Sequence, residues 1–158
     1  KELSAAYRTE ELRLDATMPD SHYHTSKDLD AHVAYAKKFL SEVSIRYDAE
    51  NDWPVIRYAD VLLMYAEVLN EVDGPSAGLK YLNLVRERAG LSKIESDAVT
   101  TRNVFRTYLE KERRLELAFE NQRWFDLLRW GKAIEVINKH IQETEWDFYE
   151  ASNQQIHK

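Results

Sequence analysis

From Val61 onward, apolar positions return every three or four residues. Val61, Leu62, Tyr65, Val68, Leu69 and Val72 form one such series, which is the spacing of a helix and not the alternation of a strand. Gly74–Pro75 closes it, and Pro75 with Ser76 suits the start of a second helix. That helix carries Leu79, Tyr81, Leu82, Val85 and Ala89. Gly90 followed by Leu91 predicts an ending in which a left-handed glycine lets an apolar residue fold back. Two helices of similar length joined by a tight turn predict an antiparallel hairpin. Ser92–Thr100 reads as loop, with Thr100 or Thr101 as the cap of a third helix. The third helix is predicted through Val104, Phe105, Tyr108, Leu109, Leu115 and Phe119. A shorter helix covers Trp124–Trp130 and ends at Gly131, and "KAIEVINKHI" after it is again amphipathic.

The first forty residues carry weaker signals. Glu11–Thr17 alternates in part and predicts a short strand. Met18–His32 is polar and aperiodic and predicts a loop, while Ala34–Leu40 reads as a strand or a short helix. The tail from Gln142 is polar, with Trp146, Phe148 and Tyr149, and has no legible period. The expected fold class is mainly α: helical hairpins stacked in tetratricopeptide-like fashion, with long loops and a few short strands. Tetratricopeptide signature residues are absent, so the architecture is expected and not the motif. One domain or fragment is expected over residues 1–158, loop-rich with short strands over 1–50, a helical-hairpin core over 51–141 and a tail over 142–158.

Composition narrows the function classes. A chain of 158 residues is long enough for one domain with its own core. A net charge of −6 argues against a nucleic-acid partner, since phosphate binding needs a basic face. The longest apolar run, Val61–Ala66, falls far short of the ~20 residues of a membrane span. The absence of cysteine excludes disulfides, thiolate zinc sites and cysteine nucleophiles. The start, "KELSAAYRTE", has no basic segment followed by an apolar one, so no signal peptide is read there. With only 4 Gly and 3 Pro, turns are too few for a β-rich domain, which reinforces the helical reading.

"ERRLELAFENQRWFDLLRWG", Glu112–Gly131, mixes charge with apolar bulk. Glu112, Glu116 and Glu120 recur every four residues, so on one helix they would form a repelling stripe that needs cations. Arg113 can meet Glu116, Arg123 can meet Glu120, and Asp126 lies three residues from both Arg123 and Arg129. Arg57, Arg86 and Arg88 are available from other helices. Trp124, Phe125, Leu127, Leu128 and Trp130 surround the short helix and predict that it is largely enclosed. The reading is a partly buried charge network of Arg57, Glu112, Arg113, Glu116, Glu120, Arg123, Asp126 and Arg129 that locks helix to helix, a task suited to the planar guanidinium.

No catalytic residue emerges. Di-iron bundles need Glu-x-x-His pairs, and none occurs in this stretch. A glycosidase pair needs one carboxyl with a raised pKa, whereas arginine neighbours lower it. His22 and His24 sit two apart and would share one face of a strand, but no third ligand is spaced to join them, so no metal and no cofactor is expected. Gly74–Gly78 lacks the ending of a phosphate loop. Of the 9 tyrosines and 4 tryptophans, Tyr58, Tyr65, Tyr81, Tyr108, Trp124 and Trp130 fall on helical apolar stripes and are expected in the core. Tyr23, Tyr35, Trp53, Trp146 and Tyr149 lie outside those stripes and are the more plausible contact residues, with Tyr23, Tyr35 and Trp53 as the candidate ligand-stacking residues and Met18–Tyr35 as the segment to watch because loops carry function.

Asp52–Gly74 with Leu82–Leu91, and then Glu112–Gly131, resemble in residues, order and spacing the C-terminal half of SusD/RagB-type proteins. The resemblance covers about Asp48–His140. It implies an outer-membrane, surface-exposed lipoprotein that binds oligosaccharides or related nutrients without catalysis. Its partner would be a SusC-type TonB-dependent transporter, and its membrane association would come through a lipid anchor absent from this chain. Family members are several times longer, so the chain is expected to be a fragment. The resemblance implies a scaffold role for Arg57, Asp60, Glu67, Glu112, Arg113, Glu116, Arg123, Asp126 and Arg129. Two other readings stand beside it: a helical protein-interaction scaffold with the sugar site elsewhere in the full chain, and, more distantly, a glycoside hydrolase fragment.

Overall fold

The computed structural model describes residues 58–142 throughout and, before them, residues 3, 6, 7, 11–18, 20–24, 30–34, 36–39, 52 and 54–57, with backbone alone for 20–24 and 30–34. The chain runs through α1 (Arg13–Thr17), β1 (Asp20–His24), β2 (Asp30–Ala34), α2 (Tyr58–Val72), α3 (Pro75–Arg88), a 3-10 turn at Ser96–Ala98, α4 (Arg102–Glu116) and α5 (Gln122–Arg129). Residues 133–142 form a further helix, α6. The fold is thus mainly helical. Two units are distinguished, Lys1–Phe119 and Glu120–Lys158. No helix among the described residues is long and apolar enough to cross a membrane.

In the first unit α2 and α3 form the expected hairpin. An added Cβ at Gly78 would collide with the Ala66 carbonyl oxygen, and Tyr65 meets Tyr81 edge-on with ring centroids 4.7 Å apart. Residue numbers rise along one helix as they fall along the other, so the pair is antiparallel. The closeness at Gly78 explains why glycine stands there: any side chain would push against α2 and against the Phe105 ring. α4 lies antiparallel along α2 by the same logic. Asn70 and Arg102 exchange hydrogen bonds at one end, with Arg102 Nε 2.9 Å from Asn70 O, and Arg113 reaches Asp60 at the other.

The core between these helices comprises Ala59, Leu63, Ala66, Leu79, Leu82, Val85, Ile94, Val99, Phe105 and Leu109. Of the apolar positions that the sequence singled out, α3 and its cap bury Leu79, Leu82, Val85 and Ala89 and α4 buries Phe105, Leu109 and Leu115, while Tyr81, Val104 and Tyr108 are half-buried and exposed Phe119 lies past the end of α4. α2 differs. It buries Ala59, Leu63, Ala66 and Asn70, while Tyr58, Val61, Tyr65, Val68 and Val72 stay exposed, Val72 by 69%. Close helix packing selects the face with small side chains, and on α2 that face is Ala59–Leu63–Ala66 and not the face with the most apolar bulk.

Turn chemistry follows the sequence closely. Leu91 N donates to Arg86 O and Gly90 N to Glu87 O, each at 3.0 Å, with Gly90 at φ 80°. These are the two bonds of a Schellman ending. Asn83 ties the following loop down through both its amide atoms, which bond the backbone of Ile94 at 3.0 and 2.9 Å. Thr101 Oγ1 accepts from Val104 N at 3.2 Å and caps α4.

Two early segments differ from expectation. Glu11–Thr17 holds a short helix and no strand: Met18 N donates to Leu14 O at 2.8 Å, Arg13 and Thr17 are buried, and Leu12 is 69% exposed. Tertiary ion pairs on Arg13 override the local alternation. Met18–His32 contains β-structure: β1 and β2 pair antiparallel, with His22 opposite His32 and Tyr23 opposite Ala31.

In the second unit, α5 was expected to be enclosed and is not. Trp124 is 49%, Phe125 62% and Leu128 50% exposed, whereas Asp126, Leu127 and Ala133 are buried. The buried side is therefore the narrow one that holds Asp126 and Leu127.

Candidate functional site

α4 ends at Glu116, and Phe119 and Asn121 take positive φ of 65° and 61° in the turn beyond. Glu112 and Glu116 therefore share the last turns of one helix, but Glu120 lies past it, so the expected three-carboxylate stripe is two carboxylates long. Both are almost fully buried. Arg13 Nη1 lies 2.7 Å from Glu112 Oε1 and 3.1 Å from Glu116 Oε2, so one guanidinium bridges the pair. Arg86 Nη1 approaches Glu112 Oε2 at 3.1 Å. Arg57 Nη2 and Arg88 Nη2 approach Glu116 Oε1 at 2.9 and 2.5 Å. Buried Glu11 also pairs with Arg13. Arg113, which local spacing offered to Glu116, donates to Asp60 at 2.8 Å across the helix interface.

The electrostatics match this geometry. Burial pushes the Glu116 carboxyl up, but the hydrogen bond from Arg57, the charges of Arg88 and Arg57 and the hydrogen bond from Arg13 outweigh it and hold the group below its ordinary value. Burial likewise works against the Arg13 charge, and Glu112, Glu11 and Glu116 more than offset it, so its pKa rises. Both shifts favour the charged form of the group concerned.

The same end of α4 gathers donors onto its last carbonyls. Tyr7 Oη donates to Leu115 O at 2.9 Å, Arg57 Nη2 to Glu116 O at 3.1 Å, and Lys38 Nζ to Glu116 O and Ala118 O at 2.6 and 3.3 Å. Orphan helix carbonyls are satisfied here by side chains, and cations suit the negative end of the helix. Arg13 precedes the β1–β2 hairpin and Lys38 follows it, and Lys37 N closes its base by donating to Thr17 O at 3.0 Å. The end of α4 therefore holds both roots of that hairpin, Arg13 through buried carboxylates and Lys38 through backbone carbonyls.

Arg13, Tyr7 and Lys38 had not been picked out from the sequence. The one available signal was an arginine between leucines, "LRL", where a solvated strand would leave charge outward. Of the network residues beyond Glu116, Glu120 and Asp126 are buried and Arg123 is half-buried. Arg129 Nε lies 2.9 Å from Asp126 Oδ1, and its guanidinium sits 4.7 Å from the Trp130 ring centroid. Tyr23 is placed in β1 by its backbone, while Tyr35 and Trp53 lie outside the described residues. An open groove of ≈ 500 Å³ is lined by Gly74, Pro75, Thr100, Thr101, Arg102, Asn103 and Arg106, with no aromatic side chain among the described residues of its wall.

The first unit is thus a helical-hairpin frame in which buried Glu112 and Glu116 lie against arginines and the same helix end holds the roots of the β-hairpin. The sequence pattern of the SusD family matches residues 9–158, and the chain belongs to that family. It is 38% identical over 107 residues to the SusD-like protein P25 of Formosa agariphila, which covers 67% of this chain and 20% of that protein. It is 37% identical over 83 residues to a SusD-like protein of Bacteroides ovatus, covering 51% of this chain and 14% of the relative. A crystal structure of a SusD-like protein from Bacteroides fragilis shares 35% identity at a TM-score of 0.46, over 50% of this chain and 15% of that one. The chain spans about a fifth or less of the length of these relatives.

Proposed function

We propose that the chain is part of a cell-surface glycan-binding protein that delivers oligosaccharide to a SusC-type TonB-dependent transporter and performs no catalysis itself. In the whole protein it would sit on the extracellular face of the outer membrane through a lipid anchor. The observation that carries this reading is membership of the SusD family over residues 9–158. Within the chain, the end of α4 serves as frame, and the hairpin rooted on it is the segment offered to ligand, with Tyr23, and with Tyr35 and Trp53, as stacking residues. The glycoside hydrolase reading loses support, because Glu112, Glu116 and Asp126 each pair with arginine and Glu116 is held below its ordinary pKa, where a general acid needs the reverse. Calorimetric titration of the folded chain with soluble glycans tests the proposal. Saturable binding that Tyr23→Ala weakens without loss of helical circular dichroism is expected; binding unchanged by Tyr23→Ala would remove the hairpin from the site.

A second reading, an interaction scaffold, is favoured by the exposed row Tyr58, Val61, Tyr65, Val68 and Val72 on α2. Spaced three and four apart, these residues form one helical stripe suited to another apolar surface, either the transporter or the rest of the same protein. Val61→Asp with Val68→Asp should leave the melting temperature unchanged and reduce self-association in sedimentation. A clear fall in melting temperature would mean that the row already belongs to this chain's own core.

A further inference from the structure

The hairpin brings together histidines that the sequence keeps apart. His22 and His24 lie two apart on β1, and the antiparallel register sets His32 of β2 opposite His22 and Asp30 opposite His24. Alternate positions of a strand share a face, and so do directly opposed positions of neighbouring strands. Asp20, His22, His24, Asp30 and His32 therefore occupy one face of the hairpin, and Ser21, Tyr23, Ala31 and Val33 the other. The sequence alone offered His22 and His24 without a third ligand. The register supplies it.

We propose that this face binds a divalent transition-metal ion of the zinc type, with His22, His24 and His32 as the ligand positions and Asp30 as the carboxylate beside them. Two positions on one strand are about 6.8 Å apart, opposed positions about 5 Å and diagonal ones about 7–8 Å. Three histidine positions on so small a triangle suit the spacing of a site whose zinc–nitrogen bonds are ~2.0–2.1 Å. Nitrogen donors with one carboxylate suit zinc, copper or nickel and not calcium or magnesium, which take oxygen. The hairpin also has a use for such a tie. An isolated two-stranded ribbon is marginal in water, and an ion held by both strands would fix their register. No assembled group of three such side chains occurs among the described side chains, so the proposal rests on the strand register.

The site does not depend on the glycan reading, because it uses the face opposite Tyr23 and is tested without sugar. The test is a calorimetric titration of Zn²⁺ into the tag-free, chelator-treated chain, alongside His32→Ala, His22→Ala and the control His140→Ala with His157→Ala. The expected result is one ion per chain, weakened at least about tenfold by His32→Ala or His22→Ala and unaffected by the control, with helical circular dichroism retained throughout. Co²⁺ added to the unsubstituted chain provides a second readout, since a nitrogen-rich four-coordinate site gives intense ligand-field bands that the hexaaqua ion lacks. No saturable Zn²⁺ binding, bands of the hexaaqua ion alone, or binding that survives His32→Ala and is lost in the control would overturn the proposal.

Discussion

The two ends of α4 use the same chemistry in different solvents. At its start, Arg106 grips Glu71 through two nitrogen–oxygen contacts, one of them Nε to Oε1 at 2.8 Å, with side chains 44% and 39% exposed. At its finish, Arg13, Arg57, Arg86 and Arg88 surround Glu112 and Glu116, whose side chains are 1% and 2% exposed. Contact geometry does not separate the two ends; water does. An exposed pair is screened and must order two long side chains, whereas a buried carboxylate that loses its cation has no water to turn to. Charge should therefore be indispensable at the end that holds the hairpin and dispensable at the end that borders the groove.

The largest effect that would break this contrast is on Arg13. Arg13→Ala should cost about 3–5 kcal/mol in urea unfolding, because it strips a shared cation from buried Glu112 and Glu116. A loss near that of a surface residue would show that water reaches the carboxylates.

Acid should act on the same end. The Glu116 carboxyl is held below its ordinary 4.5, so the folded state binds this proton less tightly than the unfolded one. The stability Glu116 contributes is present above about pH 4.5 and is lost as the pH falls from there through the folded-state pKa. Glu116→Gln, although less stable at neutral pH, should therefore show a flatter stability profile below pH 4.5. An acid limb as steep as that of the parent chain would assign the effect to other groups.

At the exposed end the effects shrink. Thr101→Ala removes the cap on Val104 N and should cost about 1 kcal/mol, read as a fall in urea midpoint. Arg106→Ala should cost about 0.2–1 kcal/mol, and less at high salt, where the screened pair already counts for little. A salt-insensitive loss would point to packing by the arginine stem instead of charge.

The sequence was readable where structure is local. Glycine and proline at Gly74–Pro75 and Gly90 marked turns because their backbone chemistry acts within a few residues. α3 and α4 were readable because their apolar bulk and their buried faces coincide. α2 separates the two: its Ala59–Leu63–Ala66 face wins through close approach to Gly78, a tertiary cause that periodicity does not carry. The charge network shows the same limit. Glu112 and Glu116 announced a need for cations, but Arg13 stands 103 residues from Glu116, and no local rule links them. The hairpin was missed because its strands are short and polar, and its register, which alone sets His32 beside His22, depends on pairing across a turn.

The measurement that reaches the centre of this account is paired urea unfolding of Arg13→Ala and Arg106→Ala against the parent chain at neutral pH. The account predicts that Arg13→Ala loses at least about 2 kcal/mol more than Arg106→Ala, with both variants still helical in the absence of urea. Similar losses below about 0.5 kcal/mol for both would contradict it, because the charges at the end of α4 would then be a solvated face and not the lock that holds the hairpin in place.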